Sequence, residues 1–228
     1  MKEHLNNLAA LIPNLYNKRM LDVGAGEGGF LIECAKRGLK AEGIELNQSK
    51  VERARTKALK EGLDINIIQG EAENMPLSDS AFDFLNVAEV IEHVKDPEQV
   101  LSEMHRVMQA LGQAYVSVHN RFGLYDTHFH IYFLGWMPRS LAEKYLTLLK
   151  KNKDYEKMPD NQRISEMHYY TFGQFKKLAQ RKGFKVTDLR EIKLFKKFGY
   201  PLGFFLVLCY RMSLRPLYFS TFHYLLEK

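Results

Sequence analysis

The stretch LDVGAGEGGF, residues 21–30, decides the fold. Its apolar start is typical of a buried strand, and the strand carries Asp22 into a tight turn. Four glycines follow within six positions: Gly24, Gly26, Gly28 and Gly29. A simple left-handed turn needs one glycine, whereas backbone that closely approaches a ligand needs more. Because ligands in such sheets bind beside the first strand-to-helix turn, we expect a cofactor here.

Strand and helix patterns alternate outward from this turn. The predicted strands cover residues 19–23, 39–45, 65–69, 81–88 and 113–119. The predicted helices cover residues 3–11, 29–37, 49–61 and 97–108. Asp96 before Pro97 marks one helix start, and Asn47 or Ser49 marks another. This alternation predicts an α/β fold, a Rossmann-like, mostly parallel sheet with helices on both faces.

The pattern changes after residue 120. An aromatic insertion without strand signals occupies residues 121–165, and a capped helix follows over residues 171–183. Two final strands are predicted over residues 184–194 and 217–226, which brings the sheet to seven strands. A hydrophobic insertion, residues 198–210, lies between them. We expect one domain over residues 1–228, with a core of 15–120, an insertion of 121–167 and a C-terminal part of 168–228.

Composition restricts the function classes. The net charge of +6 is too small to argue for nucleic-acid binding on its own, although residues 176–197 are rich in Lys and Arg. Cys34 and Cys209 lie among apolar neighbours and are expected to be buried free thiols. The charged N-terminus lacks the apolar run of a signal peptide, so we expect a cytoplasmic protein.

The glycine turn alone leaves two cofactor classes open. Gly24, Gly26 and Gly29 also satisfy G-x-G-x-x-G, and Glu45 lies near the spacing of a ribose-binding acid in nicotinamide enzymes. Three further stretches bear on the choice: EGIELN (residues 42–47), GEAENMP (70–76) and FDFLNVAEVIEHV (82–94). With these motifs in order, residues 19–119 resemble the class I S-adenosylmethionine (SAM) methyltransferases, specifically the group with ubiquinone-type O-methyltransferases.

The resemblance implies a role for each matching residue. The turn would hold the methionine part of SAM, Glu45 would accept both ribose hydroxyls, and Leu46 would pack on adenine. Glu71 would meet the adenine amino group, with Ala72 near the ring. The implied cofactor-binding set is Asp22, Gly24, Ala25, Gly26, Gly28, Glu45, Leu46, Glu71, Ala72, Glu73, Asn86 and Ala88. After methyl transfer the product would be S-adenosylhomocysteine (SAH).

His93 is the candidate catalytic base. It lies just after the fourth predicted strand, beside the expected methyl position, and histidine titrates near neutral pH. A packing role for His93 is the alternative. Glu89, Glu92 and His93 would share one face of a helix beginning at Glu89, and E-x-x-E-H resembles the metal motif of ubiquinone O-methyltransferases. A divalent metal there would take its fourth ligand from one of three residues: His119, His128 or His130.

Two segments bear on the acceptor. Residues 121–138 carry six aromatic side chains after the fifth strand, and we interpret them as an acceptor lid, with an ordinary satellite core as the alternative. Residues 198–215 are apolar with basic flanks, which suits peripheral membrane contact, docking on the fold or a dimer contact. We expect a methyltransferase, monomeric or homodimeric, acting on a hydroxyl of a small or lipid-linked acceptor. A non-catalytic SAM-binding protein and an NAD-linked oxidoreductase are the alternatives.

Overall fold

A seven-stranded sheet forms the centre of the structure, a computed structural model that describes residues 1–151 and 162–228. The strands of the described residues are β1 (Met20–Val23), β2 (Ala41–Glu45), β3 (Asn66–Gln69), β4 (Phe82–Val87), β5 (Met108–His119), β6 (Tyr125–Asp126), β7 (Ile131–Tyr132), β8 (Lys185–Asp188) and β9 (Thr221–Glu227). Strands β6 and β7 pair with each other outside the central sheet, in which the order is β3-β2-β1-β4-β5-β9-β8. The first five are parallel, whereas β9 runs antiparallel to both neighbours. The predicted mostly parallel sheet is confirmed.

Helices cover both faces of the sheet, as the alternation of patterns predicts. They are α1 (Lys2–Leu11), α2 (Gly29–Ala35), α3 (Gln48–Lys60), α4 (Pro97–Val107), α5 (Arg139–Leu148), α6 (Phe172–Arg181), α7 (Leu189–Phe198), α8 (Leu202–Cys209) and α9 (Arg215–Leu217). Helices α1, α2 and α7 share one core cluster, and α4 and α6 share another. Within residues 1–151 and 162–228, none of the helices is long and apolar enough to cross a membrane.

Local sequence explains where the helices begin. The Asn47 side chain accepts hydrogen bonds from the first amides of α3, and Asp96 does the same for α4. Thr171 and Gln174 form the expected capping box at the start of α6. These caps place the turns that precede α3 and α4 at the carboxyl end of the sheet. Loops there are positioned to build a ligand site.

The C-terminal part departs from the predicted pattern. The strand predicted over residues 184–194 is wrong beyond Asp188, because the Asp188 side chain accepts a hydrogen bond from Arg190 N and starts α7. The last strand begins at Thr221 rather than at residue 217. Residues 121–165, predicted without strands, contain the short antiparallel pair β6–β7. The hydrophobic insertion folds as α8 and a following turn of π-helix.

Candidate functional site

The glycine turn is hydrogen-bonded to the end of β2. The amides of Gly24 and Ala25 both donate to the Ile44 carbonyl, at 2.9 and 3.0 Å. Gly24 has φ +70, and a Cβ there would lie 2.5 Å from Val90 Cγ2. Only glycine fits this position, because both its backbone conformation and its neighbour exclude a side chain. The turn is therefore held between β2 and the loop that follows β4.

Glu45, the last residue of β2, is buried at 7% exposure. Its Oε2 accepts a hydrogen bond from Gly26 N at 2.8 Å, and its Oε1 accepts one from Asn47 N at 3.0 Å. Each carboxylate oxygen can accept a second hydrogen bond. The two amides thus fix the carboxylate plane beside the turn, and a ligand diol can still be bound by the same oxygens.

A cavity of about 710 Å³ opens at the carboxyl end of the sheet, next to Glu45. Nucleotide-sized ligands occupy cavities of this order. The lining includes nine of the residues singled out in the sequence: Gly24, Gly26, Glu45, Leu46, Glu71, Ala72, Glu73, Glu89 and His93. Seven other residues line it that were not predicted individually, although Ile44, Gly70, Val90 and Val94 lie within the quoted motifs: Ile44, Lys50, Gly70, Val90, Val94, Lys95 and Gln162.

The charges around the cavity are mostly negative. Four carboxyl side chains line it, those of Glu45, Glu71, Glu73 and Glu89, against the ammonium groups of Lys50 and Lys95. Glu73 Oε1 accepts a hydrogen bond from Lys95 N at 2.8 Å, which ties the loops after β3 and β4 together. A ligand with cationic centres and no phosphate suits this balance better than a dinucleotide does.

Five of the predicted cofactor residues lie behind the cavity wall rather than in it: Asp22, Ala25, Gly28, Asn86 and Ala88. Asp22 is buried, and its Oδ1 accepts a hydrogen bond from Asn86 Nδ2 at 2.6 Å. Burial, with a smaller contribution from the nearby Glu45 carboxylate and against the Asn86 hydrogen bond, raises the pKa of Asp22 to about 7. Gly28 has φ +71 and packs on Ala54 as the N-cap of α2. These residues support the glycine turn from within the fold and do not themselves line the cavity.

His93, in the loop that follows β4, lines the same cavity. Gln162 holds it twice: Gln162 Nε2 donates to the His93 carbonyl at 2.6 Å, and Gln162 Oε1 lies 3.0 Å from His93 Nδ1. A carbonyl oxygen only accepts, so the first bond fixes the orientation of the Gln162 amide. Its oxygen then faces the ring, and Nδ1 must be the donor. This makes Nε2 the basic nitrogen of His93.

The comparisons with known proteins agree with this geometry. A family model described as a methyltransferase domain matches residues 21–116. The ubiquinone biosynthesis O-methyltransferase of Rickettsia typhi is 30% identical over 179 residues, 75% of this chain and 68% of that protein. The chain belongs to the class I SAM-dependent methyltransferases. A ubiquinone/menaquinone biosynthesis C-methyltransferase of Geotalea daltonii is also 30% identical, over 78% of this chain and 75% of that protein.

Solved structures of methyltransferases share the fold. A putative sarcosine dimethylglycine methyltransferase from Galdieria sulphuraria aligns with a TM-score of 0.62 at 18% identity, over 100% of this chain and 84% of that one. Two further relatives are also named as ubiquinone biosynthesis O-methyltransferases, and this chain spans only 62% and 59% of their length. The cofactor class follows from the family, whereas acceptor and methylated atom differ among relatives named for O- and C-methylation.

The E-x-x-E-H residues of this chain do not share a helix face. Residues 88–96 form turns, and the helix after β4 begins only at Pro97. The expected helix starting at Glu89 is therefore wrong: Glu89 has φ +57, and its amide donates to Ser117 Oγ. Glu89 and His93 line the cavity, while Glu92 points into the protein at 1% exposure.

Glu92 instead meets two histidines from other parts of the chain. Ligand atoms of Glu92, His119 and His128 all lie within 4.8 Å of one another. Glu92 Oε2 and His128 Nε2 are buried without a hydrogen-bond partner. Burying such atoms unpaired is costly, and one carboxylate with two imidazoles is a donor set that binds divalent transition metals. These three residues fit a metal better than the motif residues do. The alternative ligand His130 is exposed and hydrogen-bonds Tyr125.

The aromatic insertion lies over this cluster. The His93 and His128 rings contact edge to face, with centroids 5.0 Å apart, and His119 packs on Tyr169 at 4.2 Å. Phe129 belongs to a small core with α5, as in the satellite-core alternative. Four other aromatic side chains of the insertion are exposed: Phe122, Tyr132, Phe133 and Trp136. No residue of 121–138 lines the cavity bounded by the described residues.

Proposed function

We propose that this chain transfers the methyl group of SAM to a hydroxyl acceptor, with His93 as the general base. One observation carries the proposal: the glycine turn, Glu45 and His93 line the same cavity. SAM already contains a good leaving group, so the enzyme mainly has to align the acceptor with the methyl group. A base on the acceptor side of the cavity then removes the hydroxyl proton.

The cofactor would lie with its ribose on Glu45 and its adenine between Leu46 and the loop of Glu71 and Ala72. The Glu45 oxygens, fixed by two backbone amides, would accept the ribose hydroxyls. The methionine part would follow the turn at Gly24 and Gly26. Its ammonium and sulfonium charges suit the negative balance of the lining, which a nicotinamide dinucleotide with its phosphates does not.

The acceptor would approach from the His93 side. Gln162 holds the ring in the tautomer whose Nε2 takes a proton, so His93 can accept the hydrogen of a bound hydroxyl. We propose that the acceptor is small or lipid-linked. The enzyme would be cytoplasmic and would work at the surface of a membrane, as a monomer or a homodimer. Exposed aromatic side chains at residues 122–136 support an apolar acceptor.

A divalent metal is a second element of the proposal. Glu92, His119 and His128 would hold it, and because the His93 and His128 rings are in contact, the ion would lie next to the acceptor side. When bound, such an ion polarises oxygen ligands and orients hydroxyl groups. The protein residues themselves provide the pocket, the base and the buried donor atoms.

Calorimetric titration of the purified chain with SAH, and separately with NADH, tests the cofactor. We expect heat from SAH only, and at least about tenfold weaker SAH binding in Glu45→Ala, because hydrogen bonds to a charged group contribute about 1.5–3 kcal/mol. Glu52→Ala, an exposed carboxylate on α3, is the matched control and should bind like the parent. Heat from NADH alone would overturn the methyltransferase proposal.

Methyl transfer itself is tested with labelled SAM and hydroxylated amphiphiles or membrane extracts. Label in the acceptor fraction, absent with His93→Asn, is the expected result. SAH binding without transfer to any of these acceptors would instead support the non-catalytic SAM-binding alternative.

A further inference from the structure

The tail hairpin, residues 189–218, presents an apolar surface to solvent. It consists of α7, α8 and the helical turns up to Tyr218. Exposed fractions reach 83% at Tyr200, 60% at Phe205 and 74% at Met212. The exposed side of α8 and the turn before it includes Phe198, Tyr200, Leu202, Phe204, Phe205 and Leu208. Contiguous exposure of this kind marks an interaction surface rather than a normal solvated face.

The hairpin is anchored to the fold. Val207 and Tyr210 are buried, and the Tyr210 hydroxyl donates to Asp188 Oδ2 at 2.9 Å. Gly203 packs so closely on Phe195 of α7 that a Cβ would lie 3.1 Å from its ring. The buried side of α8 is thus already packed against the rest of the fold. Its exposed aromatic side is held outward and stays available for a partner.

The net charge of the segment is positive, and Glu191 is its one acidic residue. No Asp or Glu occurs between Glu191 and Glu227, while the same stretch contains five basic residues: Lys193, Lys196, Lys197, Arg211 and Arg215. Glu191 pairs with both arginines. Among the described residues, no carboxylate pairs with the three lysines. An apolar helix with unneutralised cations beside it matches a surface of apolar chains under anionic headgroups.

A second copy of the chain fits this surface poorly. In a symmetric dimer the same patch faces itself, so the lysines of both copies would be brought together. Glu191 is the one carboxylate of the segment, and because it is already paired with Arg211 and Arg215 it does not neutralise these lysines. Like charges at an interface oppose association. The charge pattern therefore favours a lipid surface over self-association.

We propose that the tail hairpin binds the surface of an anionic lipid bilayer, with the exposed side of α8 in the interfacial region. At eight residues, α8 is too short to span the bilayer and would lie along it. This inference deepens the proposed function. It rests on that function in one respect only, the lipid-linked class of the acceptor. The binding step itself involves no SAM.

Backbone and side-chain hydrogen bonds connect the hairpin to the aromatic insertion. Asn120 Nδ2 donates to the carbonyls of Pro216 and Phe219, at 3.2 and 2.8 Å, and Leu124 N donates to Leu217 O at 2.9 Å. The exposed ring of Trp136 packs on Phe122 in this insertion. Binding through the hairpin would bring Trp136 to the headgroup region, where tryptophan is favoured.

Vesicle binding and the fluorescence of Trp136, the only tryptophan, test the proposal with the full chain. We expect co-sedimentation with vesicles containing phosphatidylglycerol, much less with pure phosphatidylcholine, and a blue shift of the emission with quenching by brominated lipid. The double change Phe204→Ser and Phe205→Ser should abolish sedimentation, and Lys197→Glu should weaken it several-fold. Leu59→Ser, an equally exposed apolar residue on α3, should leave binding unchanged.

Each other outcome counts against the proposal. Equal binding of the parent and the Phe204/Phe205 variant, or no binding to anionic vesicles, would overturn it. Loss of a dimer in that variant, measured by light scattering without vesicles, would assign the surface to self-association instead. SAH binding measured on the same variant keeps the two hypotheses apart: it should equal that of the parent, because the hairpin does not line the cofactor cavity.

Discussion

His4 Nε2 lies 2.8 Å from Asn86 Oδ1, which links the first turn of α1 to the carboxyl-terminal part of β4. The same amide donates from its nitrogen to Asp22 at 2.6 Å. One buried side chain thus joins the N-terminal helix, the central strand and the strand before the glycine turn. Because Asn86 is 1% exposed, neither contact can be replaced by water.

Asn86→Leu should reduce the free energy of unfolding by about 2–4 kcal/mol, since it leaves the buried Asp22 and the half-buried His4 without their partner. Urea denaturation followed by circular dichroism measures the change. Asn66→Leu is the control: its amide bonds Glu42 at an exposed site, and its effect should stay within about 0.5 kcal/mol. Equal losses in both variants would show that the buried link contributes little.

SAH affinity should rise with pH through neutrality. Burial raises the pKa of Asp22 to about 7, so below that pH the carboxyl is neutral and above it the charge attracts the ligand's ammonium group. A group with this pKa gives about tenfold tighter binding at about pH 8 than at about pH 6. Calorimetry across this range measures it, and Asp22→Asn should flatten the profile. A steep profile retained in Asp22→Asn would assign the titration to another group.

The tautomer of His93 is a third prediction. With Gln162 Oε1 as acceptor, His93 should carry its proton on Nδ1, which two-dimensional ¹H–¹⁵N spectra of the imidazole distinguish. Gln162→Ala should shift the ring toward the other tautomer. His93→Asn identifies the signal, and the distant His105 ring should not respond to the change at Gln162. An Nδ1 that is unprotonated in the parent protein would contradict this assignment of the base.

Sequence reasoning succeeds where a feature is local. Glu45 ends an apolar strand and Gly24 follows another, so their meeting at one edge of the sheet follows from parallel strand topology. Capping residues such as Thr171 are equally local, and the helix they predict is confirmed. The strand predicted over residues 184–194 forms as far as Asp188 and fails beyond it, because the apolar residues there suit either element and the Asp188 cap decides for a helix.

Contacts across long sequence separations lie beyond such reasoning. Gln162 is 69 positions from His93, and His4 is 82 positions from Asn86. Nothing in either local stretch points to the other. The motif E-x-x-E-H misled for a related reason: its helical spacing matters only in a helix, and the positive φ of Glu89 places a turn there instead. Three-dimensional proximity brings together a different trio, Glu92, His119 and His128, which we propose as the ligands.

The final prediction separates these two sets of metal ligands. The chain should bind Zn²⁺ through Glu92, His119 and His128, because Glu92 Oε2 and His128 Nε2 are buried without partners and a metal would satisfy both. His128→Ala should weaken Zn²⁺ binding by at least about tenfold in a chelator-competition titration, which requires no acceptor substrate. His130→Ala, at an exposed histidine two positions away, is the control and should bind as the parent does.

Glu89→Gln decides between the sets. It lies in the cofactor cavity, so it should leave Zn²⁺ affinity unchanged. If Glu89→Gln abolished Zn²⁺ binding while His119→Ala did not, the E-x-x-E-H residues would be the ligands and the turn at residues 88–96 would have to rearrange when the metal binds. In a chain that binds no Zn²⁺, Glu92 Oε2 would stay buried without a hydrogen bond, and Glu92→Leu should then stabilise the fold.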